Sequence, residues 1–148
     1  MSINVAKTKS VYITSKAKSN DIQNIALPIP FNNEEIHCSR EEKLLGITFD
    51  VVLSFDSHIN SVLKKCNSLL YLLSRIKKFL TIPLRKIFFN SYILPHLDYC
   101  CVIWGNCSIT QEQKLIRFQK RVARLILDKD KCSHSADLFN KLKYLTSP

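Results

Sequence analysis

Lys114, Arg117, Arg121 and Arg124 follow one another at spacings of three, four and three residues, with Lys120 beside them. On a helix those intervals place all four on one face, as a positive stripe about 15 Å long. Such a stripe can track several phosphates of a polynucleotide. Arginine favours bidentate phosphate contact, whereas lysine offers a point charge. Upstream, Lys64, Lys65, Arg75, Lys77 and Lys78 lie off the apolar seam of another helical segment. The chemistry open to these residues is electrostatic capture of an anionic backbone. The structural alternative pairs the arginines with acids or lays them over apolar surface. Only Glu112 and Asp128 are close in sequence for such pairing.

Catalytic sets are harder to find. Polymerase chemistry needs carboxylates converging on two Mg²⁺ ions about 4 Å apart, and this chain has no adjacent aspartates. Asp128 and Asp130 stand among Lys129 and Lys131 and read as a salt-laced turn. Asp50 and Asp56 flank a change of periodicity and read as turn and cap residues. There is no spacing that suggests a Ser/His/Asp or Cys/His nucleophile, and no phosphate-binding glycine loop. Six cysteines (Cys38, Cys66, Cys100, Cys101, Cys107 and Cys132) include no CxxC pair. Zinc sites draw paired ligands from short turns, so buried free thiols acting as small apolar groups are the expectation. Tyr92, His96, Asp98, Tyr99 and Trp104 surround Pro95. They read as core packing with Asp98 or His96 capping an interrupted backbone, or as rings on which bases stack.

The elements that must position these residues change character near Asp56. Before it, Val11–Thr14, Ile25–Phe31, Ile36–Cys38 and Leu44–Phe49 read as short strands or extended segments. Pro28 and Pro30 confine theirs to an edge, and Gly46 marks a bulge or a close backbone approach. After it, apolar residues from Ile59 to Leu80 recur every three or four positions. Asp56 or Ser57 can cap that helix, and Lys77 and Lys78 suit its C-terminal end. A second helix starts at Thr81-Ile82-Pro83 and is expected to break or kink at Pro95, with Leu97–Trp104 as a further short piece. Gly105-Asn106 turns the chain. Thr110-Gln111-Glu112-Gln113 has a capping-box pattern and opens a third helix to Leu127. A last helix is expected at Ala136–Leu142. The class is therefore α+β: a partial antiparallel sheet over residues 1–55, then a bundle of three or four helices over residues 56–148.

Charge follows the same division. Residues 1–57 hold six Lys/Arg against seven Asp/Glu, and residues 58–148 hold sixteen against five. The second part therefore carries the whole excess, the electrostatic footprint of a surface that meets phosphate. No apolar run approaches the roughly 18 residues of a membrane span. The first residues lack the apolar stretch of a secretory signal, so an intracellular location, nuclear or cytoplasmic, is expected.

Three blocks in order give the chain a family likeness. Asn4–Lys9 (NVAKTK) before the Val11–Thr14 segment, Lys43–Asp50 (KLLGITFD), and Leu53–Ile59 with the long helix and LPHLDYCCVIWG (Leu94–Gly105) resemble consecutive parts of non-LTR retrotransposon reverse transcriptases, the jockey and LINE type. The resemblance runs from about residue 3 to about residue 145. It implies the end of a palm, a thumb and the segment after it. Lys7 matches a palm lysine near the incoming nucleotide, and Gly46 falls in the primer-grip hairpin. The thumb-like helices would hold template–primer duplex by its backbone. Fingers, the Tyr-x-Asp-Asp carboxylates, their Mg²⁺ and any endonuclease belong to the intact family enzyme and are not in this sequence. The chain is thus expected to be inactive alone, a truncated element copy or the last piece of a larger reading frame whose N-terminal polymerase portion is missing. Two other readings stand beside it: a basic helical module for an acidic protein or membrane surface, and a remnant without function.

Overall fold

Leu45 and Gly46 take φ values of +49° and +88°, and the chain folds back on itself there. The pair forms the two-residue turn of a hairpin between β5 (Glu41–Leu44) and β6 (Ile47–Asp50), with Leu44 opposite Ile47. Positive φ at both turn residues matches the right-handed twist of the strands, and glycine takes the second at no steric cost. Leu44–Phe49 is therefore not one strand: Gly46 sits in the reversal, and no bulge is involved.

The computed structural model describes residues 8–19, 29–31, 34–36 and 38–128. Contacts divide the chain into two units, Met1–His58 and Ile59–Pro148. The class is α+β, with small sheets, mostly antiparallel, followed by helices, as the sequence leads one to expect.

In the first unit β1 (Ser10–Val11) runs parallel to β4 (Cys38–Ser39), and β2 (Ile29–Phe31) pairs antiparallel with β3 (Glu34–Ile36). The expected Val11–Thr14 strand is shorter than its β-branched composition suggests. After Val11 the chain leaves the ladder, and the Thr14 amide donates instead to the Val51 carbonyl at 2.8 Å. Ile36 and Cys38 belong to different ladders. Pro30 lies within a two-stranded ladder, where its missing N–H can face away from the partner.

Asp50 organises the passage from β6 into the first helix. Its carboxylate accepts from the amides of Val52 (3.0 Å), Ser54 (3.0 Å) and Phe55 (2.8 Å) and from the Ser54 hydroxyl (3.0 Å). Those bonds hold a loop in which Leu53 and Phe55 both have positive φ, a strained conformation for residues with a Cβ. Phe55 is buried and meets Phe49 edge to face, 5.8 Å between centroids. The Thr48 amide donates to buried His58 Nδ1 at 3.4 Å. The helix α1 (Asp56–Ile76) opens at Asp56 itself. Asp56 is thus a first-turn acid rather than the cap, and the Ser54 hydroxyl takes its amide at 3.3 Å.

In the second unit α1 buries Ile59, Leu63, Cys66, Leu70 and Leu73 along one line. Each such side chain contributes about 1.5–3 kcal/mol by leaving water. A 3₁₀ turn (Lys77–Phe79) ends the segment. Then come α2 (Ile82–Phe88), a π turn (Phe89–Ile93), α3 (Leu94–Asp98), α4 (Cys101–Trp104) and α5 (Ile109–Leu127). Among the described residues of this unit, Phe89, Ile93, Trp104, Phe118, Val122, Ala123 and Ile126 supply the rest of the buried core.

Pro95 does not break the chain. The Leu94 amide reaches back five residues to the Phe89 carbonyl, and Pro95 then stands in the first turn of α3. The widened turn absorbs the clash a proline ring makes with the carbonyl four residues earlier. The reversal comes later, at Cys100, whose φ is +51°. The piece expected at Leu97–Trp104 is accordingly divided between α3 and α4. Gly105 packs so tightly that a Cβ there would lie 2.5 Å from the Cys101 carbonyl oxygen. The N-cap of α5 is Ser108, not Thr110, so the capping-box pattern falls inside the helix. The helix expected at Ala136–Leu142 lies outside the described residues.

Candidate nucleic-acid interface

Two hydrogen bonds set the register of α1 against α5. Lys114 Nζ donates to Asn60 Oδ1 at 3.0 Å, and Arg121 Nη1 donates to Asn67 Oδ1 at 3.0 Å. Both partners advance by seven residues, so the helices run parallel and the rungs stand about 10 Å apart. Between them lies an open groove of about 770 Å³. Lys64, Lys114, Arg117 and Arg121 line it, together with Tyr71 and the buried ring of Phe118.

The electrostatics of this groove follow from what faces its cations. Ion pairs among the described residues are Lys9–Glu42 (3.2 Å), Lys77–Asp128 (2.8 Å) and Arg85–Asp128 (3.9 Å). None involves a groove cation. Lys114 and Arg121 are held by neutral amides, which orient a charge without cancelling it. All four cations are exposed, and Lys114 and Arg121 are positioned yet free to exchange their amide for a phosphate oxygen.

Ten helix cations are singled out by sequence, and the groove gathers four of them. Lys65 is exposed on α1 away from the lining, and Lys120 is half-buried. Arg124 is half-buried too, and its Nε is enclosed with no hydrogen-bond partner among the described residues. Gly46 lies in the hairpin turn of the first unit, and Lys7 lies outside the described residues.

Sequence reasoning passed over Asn60 and Asn67. The signal was present: Asn60, Lys64, Asn67 and Tyr71 recur at four, three and four along α1. It also passed over Arg85, which is 8% exposed. Arg85 donates from Nε to the Leu80 carbonyl (3.0 Å) and from Nη2 to Lys77 (2.8 Å). Its Nη1 reaches the carbonyls of Ile126 (3.3 Å) and Leu125 (3.5 Å). One guanidinium thus serves the C-terminal ends of two parallel helices, where unpaired carbonyls concentrate negative charge. Asp128, in the left-handed C-cap of α5, adds its carboxylate. The Lys77 hydrogen bond and charge hold that carboxyl below its ordinary range. Lys77 therefore answers the carboxylate at this helix end.

The aromatic cluster separates. Only Trp104 is buried, and its indole N–H donates to the Tyr99 carbonyl at 2.9 Å. That bond caps the interrupted backbone, a role expected of Asp98 or His96. Tyr92 and Tyr99 are exposed, and Tyr92 lies against Phe88 with centroids 4.9 Å apart.

Of the described cysteines, Cys66 alone is buried, and burial pushes its thiol up to about 11. Cys101 is exposed, and Cys38, Cys100 and Cys107 are half-buried, so burial is not the common rule. Cys132, His134 and Asp130 lie outside the described residues. Among the described residues no three His, Cys, Asp or Glu gather to hold a metal. Asp50 spends its carboxylate oxygens on backbone amides, so these residues do not fit a two-Mg²⁺ centre. No described helix is long and apolar enough to cross a membrane.

Set against protein-family models, curated proteins and solved structures, the chain matches none of them.

Proposed function

We propose that this chain is the palm end, thumb and following segment of a non-LTR-type reverse transcriptase. Its task in that reading is to hold the backbone of a template–primer duplex inside the cell, without carrying catalytic carboxylates. The observation that carries the proposal is the groove in which Lys64, Lys114, Arg117 and Arg121 converge with no ion pair to an acid among the described residues. The three sequence blocks and the concentration of charge after residue 57 support it from independent directions. Backbone binding needs no base contacts, so capture should be indifferent to nucleotide sequence.

Binding of the full chain to an RNA–DNA duplex, compared with co-sedimentation on anionic vesicles, tests the ligand class. Preference for the duplex supports the proposal, and preference for vesicles overturns it. Parentage is tested by the genomic sequence upstream of Met1. An in-frame Tyr-x-Asp-Asp within a few dozen codons supports it, and an unrelated reading frame there overturns it.

A further inference from the structure

Tyr71 lies one helical turn beyond the Arg121–Asn67 rung, about 6 Å further along α1. It lines the same groove as the four cations and is 65% exposed. An aromatic ring this open adds little to the core. Its place at the end of a positive track suits a different task. Bases of an intact duplex stack on one another, with their faces turned away from a side chain beside the backbone. Only an unpaired nucleotide offers a π-face to a ring placed there.

We propose that the polynucleotide held by its phosphates on Lys64, Lys114, Arg117 and Arg121 is unpaired at the Tyr71 end of the groove, with one base stacked on Tyr71. This inference rests on the backbone-binding reading and adds the form of polynucleotide at one end of the track. Stacking is tolerant of base identity, because every base has a π-face. It contributes no counterion release, so it is invisible in the salt dependence.

The test uses the full chain with Tyr71→Ala, Tyr71→Phe and Tyr71→Trp, and three fluorescent probes: a single strand, the same strand with abasic sites, and a blunt duplex of equal length. Tyr71→Ala should weaken single-strand binding roughly tenfold with an unchanged salt slope. The abasic and duplex probes should be unaffected. Tyr71→Phe should retain affinity, and the indole of Tyr71→Trp should be quenched by the normal strand and not by the abasic one. Salt-steep binding that is indifferent to Tyr71→Ala overturns this inference alone. So does an equal loss on the abasic strand, because the ring would then act on the backbone or the fold. No binding of any probe at low salt overturns the backbone reading and this inference together.

Discussion

Arg121 and Asn67 meet at 3.0 Å, one heptad along both helices from the equivalent bond of Lys114 to Asn60. An asparagine at each rung fixes a cation's position while leaving its charge uncompensated. A carboxylate there would fix it as well and cancel it.

Replacing both amides, Asn60→Asp with Asn67→Asp, should therefore leave folding intact and impair capture. The salt slope of polynucleotide binding should shrink by about two, since two cations are neutralised within the protein. Circular dichroism checks the fold and fluorescence anisotropy the slope. An unchanged slope in the double variant would remove these rungs from the interface.

Arg85 is expected to matter for stability and not for binding. Arg85→Met leaves four carbonyls without this donor, and an unsatisfied buried acceptor costs about 1–3 kcal/mol. Urea denaturation of the full chain should show the loss directly. Lys77→Ala, at an exposed pair, should cost far less. Equal effects from the two variants would contradict the assignment of Arg85 as the common cap of α1 and α5.

The Asp50 loop gives a pH dependence with a definite sign. Burial acts to raise its carboxyl, but the amides of Ser54, Phe55 and Val52 outweigh it and hold it below the ordinary value. A carboxylate lowered on folding stabilises above its unfolded value, about 3.9. That contribution disappears as pH falls through the folded value. Asp50→Asn should cost about 1–2 kcal/mol at neutral pH. The stabilities of variant and parent, measured by urea titration, should converge below about pH 4. A constant gap across that range would contradict the account.

Much of the helical part could be read from periodicity. Ile59, Leu63, Cys66, Leu70 and Leu73 announce the buried line of α1, and Phe118, Val122 and Ile126 that of α5. Local spacing could not give the offset of 54 residues between the two helices, because register is a tertiary property. Nor could it mark Arg85, whose carbonyl partners on α5 lie about forty residues away. The sequence left break or kink open at Pro95, because a π turn, which has no sequence signature, comes before it. The strands were least readable: a two-residue ladder such as Ser10–Val11 with Cys38–Ser39 owes little to β-propensity. Helical spacing puts Arg124 on the stripe, but spacing alone could not show that its Nε is enclosed.

The most direct measurement is the affinity of the full chain for a polynucleotide duplex across a salt series, for the parent and for Arg117→Ala with Arg121→Ala. Four neutralised phosphates predict a log–log slope between about −3 and −4, and the double variant should lower its magnitude by about two. That reduction should be the same for probes of unrelated sequence. A salt-independent affinity, or a slope that ignores the two arginines, would show that the groove between α1 and α5 does not hold the polynucleotide.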